Sequence, residues 1–142
     1  GREVVEDYVR TGLSLRRHAP DAVIVELGGN DMLLRWSPDR AEANLDAILS
    51  QAGAGGRPLL LVGIHAPGRR ADWRAGWAAI LPRLAERHGT LLLPDLYAPL
   101  AAIPRDQRDA FMLADGIHPS ARGVALLVQA LGPQVQRLLA RV

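Results

Sequence analysis

Ala22-Val23-Ile24-Val25-Glu26-Leu27-Gly28-Gly29-Asn30-Asp31 is the stretch whose reading decides the fold. Ala22 to Leu27 is a short, mostly apolar run of strand length, and its lack of strict alternation suits a strand covered on both faces. The two glycines that follow let the backbone turn tightly and come close to a ligand. Asn30 and Asp31 then stand just past the strand's C-terminal end. There they either cap the next helix or offer an amide and a carboxyl to a bound molecule.

Two further runs, Leu59 to Ile64 and Thr90 to Leu93, have the same character. Helical patterns separate the three. Ala41, Leu45, Ile48 and Leu49 share one helical face, and Gly53, Gly55 and Gly56 end that helix. Trp73, Trp77, Ile80, Leu81 and Leu84 form a second stripe, in which Pro82 predicts a kink or a break. A C-terminal stripe runs from Val124 to Val142, and Gly132-Pro133 is expected to bend it into two pieces. Val4 to Arg17 reads as a helix stopped by Pro20. Helices alternating with strands predict a parallel sheet with right-handed crossovers. In such sheets the chemistry gathers beyond the carboxyl ends of the strands.

Composition narrows the function classes. The 142 residues are 49% hydrophobic and 23% charged, the profile of one globular domain. No apolar run reaches the ~20 residues that cross a bilayer. Every basic residue is Arg, yet net charge is only +2 and the arginines are scattered. With three Trp, two Tyr and one Phe there is no basic stripe interleaved with stacking aromatics, so no nucleic-acid partner is expected. Cysteine is absent, which removes disulfides and thiolate chemistry. Four dispersed histidines without cysteine show no metal-ligand spacing, so neither metal nor cofactor is expected. Gly53-Ala54-Gly55-Gly56 follows a helix and precedes a strand, the reverse of a phosphate-binding loop.

A second motif, Asp115-Gly116-Ile117-His118-Pro119, lies in the long connection after the third strand. A carboxylate three residues before an imidazole can hold one ring nitrogen while the other takes a proton. An Asn amide at a strand end can donate to an oxygen that gains charge in acyl transfer. Each motif alone also fits a bland role: a turn capped by Asn30 or Asp31, and a surface His at a loop-to-helix junction capped by Ser120. His65 follows the second strand and either lines the crevice or faces solvent. His18 and His88 fall at helix ends, and Trp73 and Trp77 read as core.

Taken together, Val25-Glu26-Leu27-Gly28-Gly29-Asn30-Asp31 and Asp115-Gly116-Ile117-His118-Pro119 resemble two conserved-order blocks of the SGNH (GDSL-type) hydrolases, in the acyl-CoA thioesterase I and arylesterase branch. The resemblance runs over essentially the whole chain. It implies a three-layer α/β/α, flavodoxin-like sheet, with residues 1–142 as a single hydrolase domain that lacks its N-terminal strands. It implies His118 as general base, Asp115 as the group that orients it, and Asn30 as oxyanion donor. Gly1 matches by position a glycine whose backbone N–H is a second oxyanion donor. Gly29 and Asp31 are expected beside the substrate. The implied substrates are small acyl esters or thioesters, lysophospholipids among them.

The block that carries the nucleophilic serine in that family is not found. Gly12-Leu13-Ser14-Leu15 imitates it, but Ser14 falls inside a helix with no strand leading into it. Ser37, Ser50 and Ser120 also lack the required strand-to-helix setting. The chain as given is therefore expected to be inactive. The alternative is a non-catalytic domain that keeps the crevice and binds a small ligand. Missing strands would leave the edge of the first strand uncovered, so marginal stability or self-association is expected. A targeting segment would precede Gly1; with one the protein is periplasmic or secreted, and without one cytoplasmic.

Overall fold

The computed structural model describes residues 2–65 and 70–142, with side chains from Tyr8 onward. Gly1, expected as a backbone oxyanion donor, lies outside the described residues.

Helix α1 (Arg2–His18) leads to strand β1 (Val23–Glu26) and a one-turn helix α2 (Gly29–Leu33). Helix α3 (Pro38–Ala52), β2 (Leu59–Val62), α4 (Ala71–His88) and β3 (Leu91–Leu93) follow. Helix α5 (Ala98–Ala101), a 3-10 segment (Arg105–Phe111) and α6 (Ala121–Leu139) complete the chain. The strands pair in the order β1-β2-β3, all parallel, with Val23 opposite Leu59 and Leu60 opposite Leu91.

Alternation along the strands divides the core into two faces. Val25, Leu59 and Leu61 point to one side, where Leu45, Ile48 and Leu49 of α3 and Trp77, Ile80 and Leu84 of α4 cover them. Leu60 and Val62 point to the other, where Leu131, Val135 and Leu138 of α6 cover them. The result is the expected parallel sheet between two helical layers. All four β2 residues are buried, because β2 is central and covered twice. β1 is different. It pairs only with β2 among the described residues, and its Ile24, on the α6 side, is 43% exposed.

At Pro82, where a kink or a break was expected, the break is excluded, and at Gly132-Pro133 the expected division into two pieces is corrected. α4 runs through Pro82 as one helix, and α6 runs through Pro133 as one helix. Each proline withholds one N–H from the ladder, at Ala78 and Gln129 respectively, a penalty of roughly 3 kcal/mol or more. Burying each Leu, Ile or Trp contributes about 1.5–3 kcal/mol. α4 buries Trp77, Ile80, Leu81 and Leu84 around its proline, and α6 buries Leu127 and Leu138 on either side of its own. The apolar stripe outweighs the broken bond. The connection after β3, expected as a loop, contains α5 and the 3-10 segment.

Candidate active site

A crevice of about 580 Å³ opens at the carboxyl ends of the strands. Residues from both sequence motifs line it: Gly28 to Asp31 on one side, and Gly116, Ile117 and His118 on the other. Asn30 and His118, far apart in sequence, thus share one cavity.

The turn after β1 depends on its two glycines for different reasons. Gly28 adopts φ 103°, a left-handed conformation that side chains disfavour. A Cβ on Gly29 would press on Ile64 Cδ1 at 3.2 Å. The tight turn starts α2 at once, so Asn30 sits in its first turn, exposed at the crevice wall. Asp31 also lines the crevice but is buried, at 6% exposure.

The Asp115–His118 segment is a small cross-tied loop. Leu113 N–H donates to the His118 carbonyl at 2.8 Å, Ser120 N–H to Phe111 at 2.9 Å, and Met112 bridges Pro119. Ser120 caps α6 by accepting from Gly123 N–H at 3.3 Å, and its hydroxyl donates to the Ala110 carbonyl. Within this frame Asp115 Oδ1 accepts from the backbone N–H groups of Ile117 and His118, both at 2.9 Å. Its Oδ2 lies 2.7 Å from His118 Nδ1. The His118 side-chain bond, followed by the two backbone donors, pulls the Asp115 carboxyl down to about 2. The carboxylate only accepts, so His118 Nδ1 carries a hydrogen, and in the neutral ring the lone pair lies on Nε2.

Ser14, Ser37, Ser50 and Ser120 are all absent from the crevice lining. Ser14 borders a separate groove along α1 and β1, and Ser50 a cavity near the N-terminal ends of β2 and β3. His88 Nε2 pairs with Asp46 at 2.7 Å, away from the crevice. Trp77 is core, edge-on to Trp73 with ring centroids 6.0 Å apart.

Several lining residues escaped the sequence reading. Glu26 ends β1 in the crevice, and desolvation pushes its carboxyl above the usual range although part of it meets solvent. Tyr97 follows β3. Desolvation first, then the charges of Glu26 and Asp115, raise its phenol. Arg108 is held by the carbonyls of Ala101 and Ile103. Glu26 and Tyr97 carried one usable signal: each lies at or just past a strand's carboxyl end. Arg108 carried none.

Residues 1–126 match the model of the GDSL-like lipase/acylhydrolase family. The chain is similar to the thioesterase 1/protease 1/lysophospholipase L1 of Escherichia coli K12, with 34% identity over 128 residues. That match covers 88% of this chain, which spans 58% of the length of that relative. The crystal structure of TesA superposes with a TM-score of 0.85 at 26% identity, covering 95% of this chain and 73% of TesA. AlinE4, an SGNH-hydrolase family esterase, superposes with a TM-score of 0.68 at 35% identity, covering 93% of this chain and 69% of AlinE4.

Proposed function

Since this chain belongs to the GDSL-like lipase/acylhydrolase family, we propose that its crevice serves the hydrolysis of small acyl esters or thioesters through an acyl-serine intermediate. His118 is the general base, Asp115 orients it, and the Asn30 amide donates to the oxyanion. Gly1 supplies a second oxyanion donor, and Gly29 and Asp31 border the substrate. The observation that carries this assignment is the 2.7 Å contact between His118 Nδ1 and Asp115 Oδ2 in a cavity that Asn30 also lines.

The chemistry needs no cofactor. A serine hydroxyl attacks the carbonyl carbon while His118 Nε2 takes its proton, and the carbonyl oxygen gains charge beside Asn30. Collapse breaks the bond to the alcohol or thiol, which leaves with the proton from His118. Water then attacks the acyl-serine by the same route, releasing the acid and the free serine. On this reading the nucleophile is a serine outside these 142 residues, and the absence of Ser14, Ser37, Ser50 and Ser120 from the crevice lining supports it. On the same reading the 142-residue chain has no esterase activity by itself. The thioesterase and lysophospholipase names of the Escherichia coli relative support acyl thioesters and lysophospholipids as substrates. The open edge of β1 is the surface through which this chain associates with itself.

A fluorophosphonate probe tests the assignment. It should leave the 142-residue chain unlabelled and label a protein in which an upstream serine-bearing segment is joined to it. In that longer protein His118→Ala should nearly abolish turnover of a chromogenic short-chain ester; retained turnover removes His118 from its role. The absence of a lining serine favours a second function, a non-catalytic module that binds a small ligand. A serine-bearing upstream segment whose protein resists the probe would support it.

A further inference from the structure

His65 and His118 both line the crevice, and each has a carboxylate at its Nδ1. The carboxylates are anchored alike. Asp115 Oδ1 accepts the backbone N–H of Ile117, two residues on, and Asp95 Oδ1 accepts that of Tyr97, also two residues on, at 2.9 Å. Asp95 Oδ2 then lies 3.2 Å from His65 Nδ1. A carboxylate has no proton to give, so His65 Nδ1 carries a hydrogen, and in the neutral ring the lone pair lies on Nε2. The second pair is looser than the first. Asp115 also accepts the His118 backbone N–H, whereas Asp95 reaches His65 only through the longer ring contact, and the His65 side chain is 60% exposed. A ring held this way suits recognition of a bound group better than proton transfer, which needs tight positioning.

Tyr97 lines the same crevice. Its phenol, raised by desolvation and by the charges of Glu26 and Asp115, keeps its proton at neutral pH and is a donor. The crevice thus holds an acceptor at His65 and a donor at Tyr97, and a hydroxyl can both donate and accept.

We propose that His65, positioned by Asp95, is a specificity-determining residue that accepts a hydrogen bond from a free hydroxyl on the ester, so that the crevice prefers polyol-type esters to plain aliphatic ones. This rests on the proposed hydrolytic site, but its test reads binding and needs no turnover. The probes are the monobutyl ether of glycerol and its di-O-methylated counterpart, which keeps the skeleton and loses both O–H donors. Neither ether can be hydrolysed. NMR titration of the longer, serine-bearing protein, which can hydrolyse neither ether, follows affinity and the His65 ring nitrogens.

The diol should bind about three- to tenfold more tightly, the range of one net hydrogen bond, and should move the His65 Nε2 resonance. His65→Leu should remove that preference while leaving the methylated ether unaffected, and Asp95→Asn should reduce it. Equal affinities, no binding of either ether, or a preference that survives His65→Leu would overturn the proposal. The wild-type comparison stands without any variant. Loss of the diol preference with His118-dependent hydrolysis intact would sink this inference alone. A diol preference alongside His118-independent hydrolysis would sink the catalytic assignment alone.

Discussion

At Asp115 one carboxylate does two jobs. Oδ1 gathers two backbone N–H groups, which shapes the loop, and Oδ2 faces the His118 ring, which sets the tautomer. All three contacts favour the charged form, and their sum brings the group to about 2. The sign follows. A carboxyl lowered by folding contributes stability that is fully present above its ordinary value and disappears as pH falls through about 2. An NMR titration of the Asp115 carboxyl carbon should therefore show a midpoint near 2, and a midpoint close to ~4, the value of an unperturbed carboxyl, would mean the pair does not form. A loss of esterase activity at mildly acidic pH would then report a group other than Asp115. Asn30 is the complementary case. It lines the crevice from the first turn of α2, and the proposed role is to donate to the oxyanion. In an active, serine-bearing protein, Asn30→Ala should lower kcat by ~10²–10³ with folding unchanged, as loss of an oxyanion donor does. Circular dichroism and steady-state rates check both halves of that statement. These residues were legible in the sequence because their chemistry is local: Asp115 and His118 are three apart, and Asn30 directly follows a strand. The Asp95–His65 pair was not, because thirty residues and a strand crossing separate its members.

Elements explain what the residues alone do not. Ser120 joins α6 to the His118 loop, accepting from Gly123 N–H and donating to the Ala110 carbonyl. Ser120→Ala should cost about 1 kcal/mol, the usual value of a lost N-cap, and denaturant unfolding would read it. Gly123 is tighter still: a Cβ there would collide with the Phe111 carbonyl and Pro119. Pro133 lies inside α6. Its ring interrupts a helix held by the buried Leu127 and Leu138, so Pro133→Ala should raise the unfolding midpoint by restoring the N–H that faces Gln129. A lowered midpoint would show that the proline helps to place the last two turns against the sheet. Propensity announced a kink or a break at Pro82 and a bend into two pieces at Gly132-Pro133. Packing decided otherwise, and packing depends on which faces meet, which a one-dimensional pattern expresses only in part.

At the scale of the molecule the asymmetry of the sheet dominates. β2 is paired on both edges and covered on both faces, whereas β1 has one edge unpaired among the described residues and Ile24 turned outward. A groove bordered by Leu15, Val23 and Leu27 runs along that edge. Unpaired strand edges invite another strand. Sedimentation velocity on the 142-residue chain should show mass rising with concentration, and Ile24→Lys should suppress the rise. A monomer with one cooperative unfolding transition above roughly 60 °C, high for a mesophile domain, would show instead that the edge is no liability.

The sequence by itself determined the order of the three strands and the four long helices, the parallel sheet, and the two motifs that flank the crevice. These follow from apolar periodicity and from residues a few positions apart, which is the range over which backbone geometry acts. Only the tertiary structure decided that Asn30 and His118 share a cavity, that Glu26, Tyr97 and Arg108 join them, and that two prolines stay inside helices. Those outcomes depend on which strand ends lie side by side and which apolar faces press together, and both are set by packing between segments remote in the chain.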